Sequence, residues 1–110
     1  MSIIIDKPWG RELILTDKNL PYVVKILEIK SGQRLSLQYH DQKTETLTLV
    51  SGEVQLLLED QTINMEKLVG YTIKFGTKHR LTAISDSQVY EASTPEIGTT
   101  FRLEDDYQRL

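Results

Sequence analysis

The sequence contains no cysteine, only three prolines and six glycines, and a single tryptophan among 110 residues. Without cysteine the chain can form no disulfide, thiolate zinc site, iron–sulfur cluster or cysteine nucleophile. Any metal ion must therefore be bound by histidine, carboxylate or amide side chains. An excess of positive charge is also missing, since 13 Lys+Arg face 16 Asp+Glu and the basic residues are scattered. Binding to nucleic acid is therefore not expected.

Long apolar runs are missing as well. No segment approaches the roughly 20 residues that cross a bilayer, and the first ten residues, MSIIIDKPWG, lack the basic start and apolar core of a signal peptide. We expect a cytoplasmic protein without membrane contact. A chain of 110 residues with 39% hydrophobic residues is suited to one globular domain, residues 1–110, built around one core.

Short strand-like runs separated by turn signals fill most of the chain. Their regular spacing is typical of an all-β sandwich or barrel. The best helix candidate, residues 104–109, has an acidic start but is only about a turn and a half long. Because no crossover helices are found, the sheets should be mostly antiparallel, with at most this short C-terminal helix. The predicted strands are residues 22–30, 33–40, 45–50, 53–58, 62–68, 71–75, 79–84, 88–92 and 99–103.

The only two histidines, His40 and His79, each lie beside a predicted turn. Gln38 and His40 are two residues apart, so on a strand both side chains point to the same face. Glu45 begins the next strand and can face them, and His79 would complete a mixed nitrogen and oxygen ligand set if its strand lies alongside. Spacing alone favours the simpler interpretation, in which these polar side chains are solvated and Gln38 bonds to backbone or water.

The segment GQRLSLQYH, residues 32–40, followed by Glu45 and Gly52, resembles the first motif of the cupin superfamily, G-x5-H-x-H-x4-E-x6-G. Glutamine stands here in place of the first histidine. That replacement resembles one branch, the C-terminal domain of type II mannose-6-phosphate isomerases, which is often fused to mannose-1-phosphate guanylyltransferase. Four further segments resemble the same branch: KPWGRE at 7–12, VKILEIK at 24–30, GTKHR at 76–80 and RLEDDY at 102–107.

The resemblance implies a double-stranded β-helix, the jelly-roll barrel of cupins. It also implies that Gln38, His40, Glu45 and His79 bind one divalent metal ion, which could be Zn, Mn, Fe, Ni or Co. The sequence departs from the family in two places. Residues 41–43 are Asp-Gln-Lys where further histidines and an arginine are usual, and the loop before His79 is shorter by two residues. A loss of this size could move the histidine by several ångströms.

The activity that the resemblance implies is isomerisation between mannose 6-phosphate and fructose 6-phosphate, in the supply of polysaccharide precursors. This reaction moves a proton between adjacent carbons and needs a base of suitable pKa. Besides a metal-bound water, the candidate catalytic residues are Lys25, Lys43 and Glu91. The candidate cations for binding the substrate phosphate are Arg34, Arg80 and Arg102, together with Lys43.

Two other functions remain open at this point, because one barrel fold hosts many activities. The protein could bind a sugar or sugar phosphate without catalysis, or it could be a metal-free accessory barrel. We also expect a homodimer, because the apolar segment 2–5 (SIII) would leave an unpaired strand edge that invites association.

Overall fold

The computed structural model describes residues 2–95 and 97–109. That part of the chain contains eleven strands and no helix, hence none that could cross a membrane. All pairings between these strands are antiparallel, which confirms the all-β prediction. The strands are β1 (Ile3–Lys7), β2 (Gly10–Ile14), β3 (Val23–Ile29), β4 (Leu37–His40), β5 (Glu45–Ser51), β6 (Val54–Leu58), β7 (Gln61–Asn64), β8 (Gly70–Ile73), β9 (His79–Ala83), β10 (Ser87–Ser93) and β11 (Thr100–Glu104).

The strands form two sheets whose inner faces enclose the core. The order is β1-β2-β3-β10-β5-β8 in the larger sheet and β11-β4-β9-β6-β7 in the smaller one. Each of the nine predicted strands overlaps an observed one, although 33–40 is shortened to β4 and 62–68 to β7. The sequence reading missed β2, in which Arg11 and Glu12 interrupt the apolar pattern. This strand forms because it pairs along its whole length with β1 and with the strongly apolar β3.

The one helix candidate, residues 104–109, does not form a helix, which agrees with the expectation of at most a short one. Strand β11 continues to Glu104, and the carboxylate of Asp105 then accepts hydrogen bonds from the backbone N–H groups of Tyr107 at 3.3 Å and Arg109 at 2.8 Å. Gln108 has a positive φ of 58°, which a right-handed helix does not allow. The acidic start that resembled a helix N-terminus therefore makes a side-chain-stabilised turn.

The interior is apolar at one end of the barrel and polar at the other. The inward-facing residues of β5 are, in chain order, Glu45, Leu47 and Leu49. On β10, which runs in the opposite direction, the inward-facing Val89 precedes the inward-facing Glu91. Antiparallel pairing places the ionic residues of both strands towards the same end. The apolar core consists of Trp9, Leu27, Ile29, Leu47, Leu49, Val54, Leu56, Met65, Ile73, Leu81, Ala83 and Val89.

Candidate active site

Three buried donor side chains meet at the polar end of the barrel. His40 ends β4, Glu45 begins β5 and His79 begins β9, and one ligand atom from each lies within 4.8 Å of the other two. Glu45 Oε1 is 3.0 Å from His79 Nε2 and 3.7 Å from His40 Nε2. Each of the three residues is at most 5% exposed, so bulk solvent has little access to them.

The second nitrogen of each imidazole is held by a neighbouring residue. His79 Nδ1 lies 2.9 Å from the carbonyl oxygen of Thr77. Because a carbonyl only accepts hydrogen bonds, Nδ1 carries a proton, so in the neutral imidazole Nε2 is the lone-pair nitrogen that faces Glu45. His40 Nδ1 is 2.8 Å from the hydroxyl of Thr100. Bonds of this kind fix the ring orientation of histidines that bind metals.

Both Nε2 atoms are buried and form no hydrogen bond with the described residues, since even the 3.0 Å contact of His79 with Glu45 lacks hydrogen-bond geometry. Buried nitrogens without partners are rare and call for an explanation. Two imidazole nitrogens and one carboxylate that converge in this way present electron pairs to one another. A bound cation resolves that conflict, so the residues fit a divalent metal ion.

The shortened loop before β9 still delivers His79 to this cluster. The N–H of Gly76 donates to the carbonyl oxygen of His40 at 2.7 Å, and Gly76 turns the chain with a φ of 80°. His79 then begins β9 directly opposite Gln38 of β4. The shorter loop therefore does not move His79 away from His40. The reason is that the loop is hydrogen-bonded to β4, the strand that carries His40.

Gln38 borders the triad, as the two-residue spacing from His40 predicts. It lines a small internal cavity together with Glu45 and His79, and its Oε1 accepts a hydrogen bond from the hydroxyl of Ser36 at 2.9 Å. Its place on the same strand face as His40 is consistent with a fourth ligand. Its role as a ligand stays a prediction.

Glu45 is held in its ionised form despite its burial. Burial by itself raises the pKa of this carboxyl, but contacts with His40 and His79 in their protonated form, together with the charge of Lys43, outweigh that effect and hold the pKa well below the usual range in the metal-free protein. A carboxylate that remains negative at low exposure supplies the charge that a cation site requires.

The three residues predicted to carry catalysis are also buried, and they line one cavity with His40. Lys43 Nζ is 3.0 Å from Glu91 Oε2 and 3.4 Å from Glu45, while Lys25 Nζ is 3.0 Å from Glu12. Burial, and secondarily the charge of Glu45, raises the pKa of Glu91 to about 7. Buried charges are costly to maintain, and such groups concentrate at functional sites.

This cavity has a volume of about 260 Å³. A larger one, about 620 Å³, is lined by Arg11, Glu28 and Gln88 among others and contains no member of the triad. We regard the smaller cavity as the functional one, because it holds the buried ionic groups. It is lined by Lys7, Trp9, Glu12, Lys25, Leu27, Leu35, Ser36, Gln38, His40, Lys43, Glu91, Thr100, Arg102 and Arg109.

Of the three predicted phosphate-binding arginines, the structure brings Arg102 to the cavity. Arg34 is not among its lining residues, and its guanidinium pairs with Asp106 at 2.6 and 2.8 Å. Arg80 is buried, and its guanidinium donates to the carbonyl oxygens of Leu35 at 2.9 Å and Glu104 at 3.2 Å. These two arginines fasten the C-terminal segment to the barrel.

The sequence reading missed several cavity residues. Lys7 and Trp9 belong to the segment 7–12, which carried part of the family resemblance, so a signal for them was present. Glu12 is in the same segment, but its ion pair with Lys25 could not be read from it, because only the pairing of β2 with β3 brings the two side chains together. Arg109 reaches the cavity only through the C-terminal turn.

Two antiparallel sheets closed into a jelly roll, with a buried His–Glu–His cluster at one end, define a cupin. The model of the family "Mannose-6-phosphate isomerase C-terminal" matches residues 2–110, and the chain belongs to this family. A curated relative, alginate biosynthesis protein AlgA of Pseudomonas aeruginosa, is 33% identical over 75 residues, which cover 68% of this chain. The chain corresponds to only 15% of the length of AlgA.

Solved structures share the fold at low sequence identity. KdgF from Halomonas has a TM-score of 0.78 at 17% identity, with 86% of this chain and 89% of that one covered. A cupin-2 domain from Rhodospirillum rubrum has a TM-score of 0.80 at 13% identity and covers 91% and 74% of the two chains. These similarities establish the cupin barrel.

Proposed function

We propose that this protein is a metal-dependent isomerase of sugar phosphates that interconverts mannose 6-phosphate and fructose 6-phosphate. The observation that carries this proposal is the convergence of two unpartnered imidazole nitrogens on Glu45, beside a cavity lined by Lys43 and Glu91. Membership of the mannose-6-phosphate isomerase C-terminal family supports it. The relationship to a protein of alginate biosynthesis supports a role in the formation of polysaccharide precursors.

His40, Glu45 and His79 would hold the metal ion, with Gln38 as the fourth ligand. Their mixture of imidazole, carboxylate and amide groups suits zinc, manganese, iron, nickel or cobalt. Such an ion acts as a Lewis acid, which stabilises negative charge on a sugar oxygen during the reaction.

The buried ionic residues are suited to different roles in the reaction, and these roles follow from their ion-pair partners. Lys25 and Lys43 each form an ion pair with a carboxylate at 3.0 Å, and their ammonium groups are suited to stabilising negative charge on the substrate. Glu91 lines the same cavity, and its pKa of about 7 suits it to exchange a proton near neutral pH. We assign Glu91 as the group that takes the proton from one sugar carbon and returns it to the next.

Isomerisation is tested by loading the protein with each of the five metals and following fructose 6-phosphate by proton NMR. We expect mannose 6-phosphate to form with at least one metal. Glu91→Gln should reduce the rate by about 100-fold or more while metal content is unchanged, as expected for loss of a general base. Glu53→Gln, a change in an exposed turn, is the matched control and should have wild-type activity.

A second candidate function is the binding of a sugar phosphate without catalysis. The Asp-Gln-Lys segment at 41–43, which replaces the family's further histidines and arginine, favours this alternative. A protein that binds metal and fructose 6-phosphate yet gives no product with any metal would establish it. Purified protein that contains no metal and takes up none would instead identify a metal-free accessory barrel.

We also propose that the protein forms a homodimer in the cytoplasm. Strand β1 is an edge of the larger sheet, and its residues Ile3, Ile4 and Ile5 are 45%, 57% and 37% exposed. Apolar edge strands favour association with a second chain. Sedimentation velocity should show a dimer at micromolar concentration, and Ile4→Lys should convert it to a monomer. A wild-type protein that sediments as a monomer would overturn the homodimer. Recovery of the protein outside the cytoplasmic fraction would overturn the cytoplasmic location.

A further inference from the structure

The cavity beside the triad receives cations from strands at the edges of both sheets. Lys7 ends β1, the edge of the larger sheet, and Arg102 lies on β11, the edge of the smaller one. Lys7 is opposite Gly10, which in turn pairs with the buried Ile29, so Lys7 shares the inner face. Arg102 is opposite Gln38 and therefore shares the face that carries the ligand positions. Both residues line the cavity.

The other three cations of the cavity are already paired with carboxylates. Lys25 contacts Glu12 at 3.0 Å, Lys43 contacts Glu91 at 3.0 Å, and Arg109 contacts Asp105 at 2.7 Å. These three positive charges are thus largely balanced within the protein.

Lys7 and Arg102, by contrast, form no ion pair with any carboxylate in the described part of the chain. Two unbalanced positive charges that line one polar cavity favour a ligand with two negative charges. A phosphate monoester carries nearly two charges at neutral pH, and an arginine guanidinium can bind two of its oxygens at once.

We infer that Lys7 and Arg102 together bind the phosphate of the sugar substrate, and so direct the sugar towards His40, Glu45 and His79. This inference rests on the proposed function and adds a phosphate subsite to it. A cavity of about 260 Å³ is slightly smaller than most ligand sites, which start near roughly 300 Å³, so it can hold only a small ligand. It suits a single phosphorylated sugar ring.

Binding measurements test the subsite independently of catalysis. In isothermal titration of the metal-loaded protein with fructose 6-phosphate, Lys7→Gln and Arg102→Gln should each weaken binding by about 10-fold, the loss expected for one charge-assisted hydrogen bond. Arg102→Lys should recover part of the affinity. Lys74→Gln, at an exposed position outside the cavity, is the matched control and should bind like the wild type. Titration with unphosphorylated fructose should show no difference between variants and wild type.

The outcomes separate the subsite from the isomerase proposal. Weaker binding in the two variants supports the subsite even if the wild type catalyses no reaction. If the wild type is active, KM should be about 10-fold higher in each variant and kcat should stay within about 3-fold of the wild-type value. This is the pattern expected when a lost contact stabilised the bound substrate and the transition state equally. Wild-type affinity in both variants, or equal losses for fructose and fructose 6-phosphate, would overturn the subsite while leaving the metal-centred reaction untouched.

Discussion

The imidazole rings of His40 and His79 lie with their centroids 5.2 Å apart at an angle of 47°, and they belong to neighbouring antiparallel strands of the smaller sheet. Each ring turns its Nε2 towards Glu45 of the opposite sheet. The cluster therefore joins the two sheets at the polar end of the barrel. Binding of a metal there should couple directly to stability.

Metal addition should raise the thermal stability of chelator-treated protein. At a metal concentration 100 times the dissociation constant, binding stabilises the fold by about 2.7 kcal/mol, which corresponds to a rise in Tm on the order of 10 °C for a small domain. His40→Gln and His79→Gln should lose this rise, whereas Asp60→Asn, an exposed acidic change, should retain it. An unchanged Tm shift in both histidine variants would exclude the triad as the metal site.

The buried carboxyl of Glu91 should make the metal-free protein less stable as pH rises. Its pKa is about 7 in the folded protein against an ordinary value of 4.5, so the folded state binds this proton more tightly than the unfolded chain. The stability that protonation contributes is fully present below pH 4.5 and is lost as pH rises through 7. The pKa difference corresponds to about 3 kcal/mol.

Glu91→Gln removes this titration and provides the measurement. Urea unfolding of chelated protein at pH 4.5 and pH 8 should show the variant gaining about 3 kcal/mol relative to the wild type across that interval. Glu53→Gln should show no such gain. If the unfolding free energies of Glu91→Gln and wild type differ by the same amount at both pH values, the raised pKa of Glu91 is contradicted.

Arg34 and Arg80 both anchor the C-terminal segment, but their replacement should have unequal effects. The pair between Arg34 and Asp106 is exposed on both sides, about 42% and 41%, so Arg34→Ala should cost less than about 1 kcal/mol. Arg80 is 5% exposed and donates to the carbonyl of Leu35. Arg80→Ala leaves that oxygen without its partner and should cost about 2–3 kcal/mol in urea unfolding. Equal losses of unfolding free energy in the two variants would show that burial does not determine how strongly these arginines stabilise the fold.

Gly52 should tolerate alanine far less than Gly32, although both glycines have positive φ angles of 87° and 79°. A Cβ atom at Gly52 would lie 2.2 Å from the hydroxyl oxygen of Ser87 and 2.4 Å from the backbone oxygen of Asp86, whereas at Gly32 it would meet open space. Gly32→Ala should therefore cost about 1 kcal/mol for the backbone conformation alone. Gly52→Ala should cost about 1–3 kcal/mol more because of the added clash. Urea unfolding of the two variants measures this difference, and equal costs would contradict it.

Local patterning was enough to predict most of the fold. Strand-like runs bounded by turns predicted nine strands, each of which overlaps an observed strand, because alternation and glycine turns act over a few residues. The same local rules failed where distant contacts decide. Strand β2 is stabilised by its neighbours on both sides, and the acidic residues 104–106 bind Arg80, Arg109 and Arg34 instead of starting a helix.

The sequence by itself determined the all-β class, the pairing of Gln38 with His40 on one strand face and, through its motif, the candidate ligands. The strand class and the shared face of Gln38 and His40 follow from spacing along a strand of period two, and the ligand set follows from the family resemblance; neither needs tertiary information. Only the closed barrel decided that Glu45 and His79 meet His40 in a buried cluster and that Lys7 and Arg102 border one cavity. Convergence of this kind depends on the register between strands that are distant in sequence, and no local pattern encodes that register.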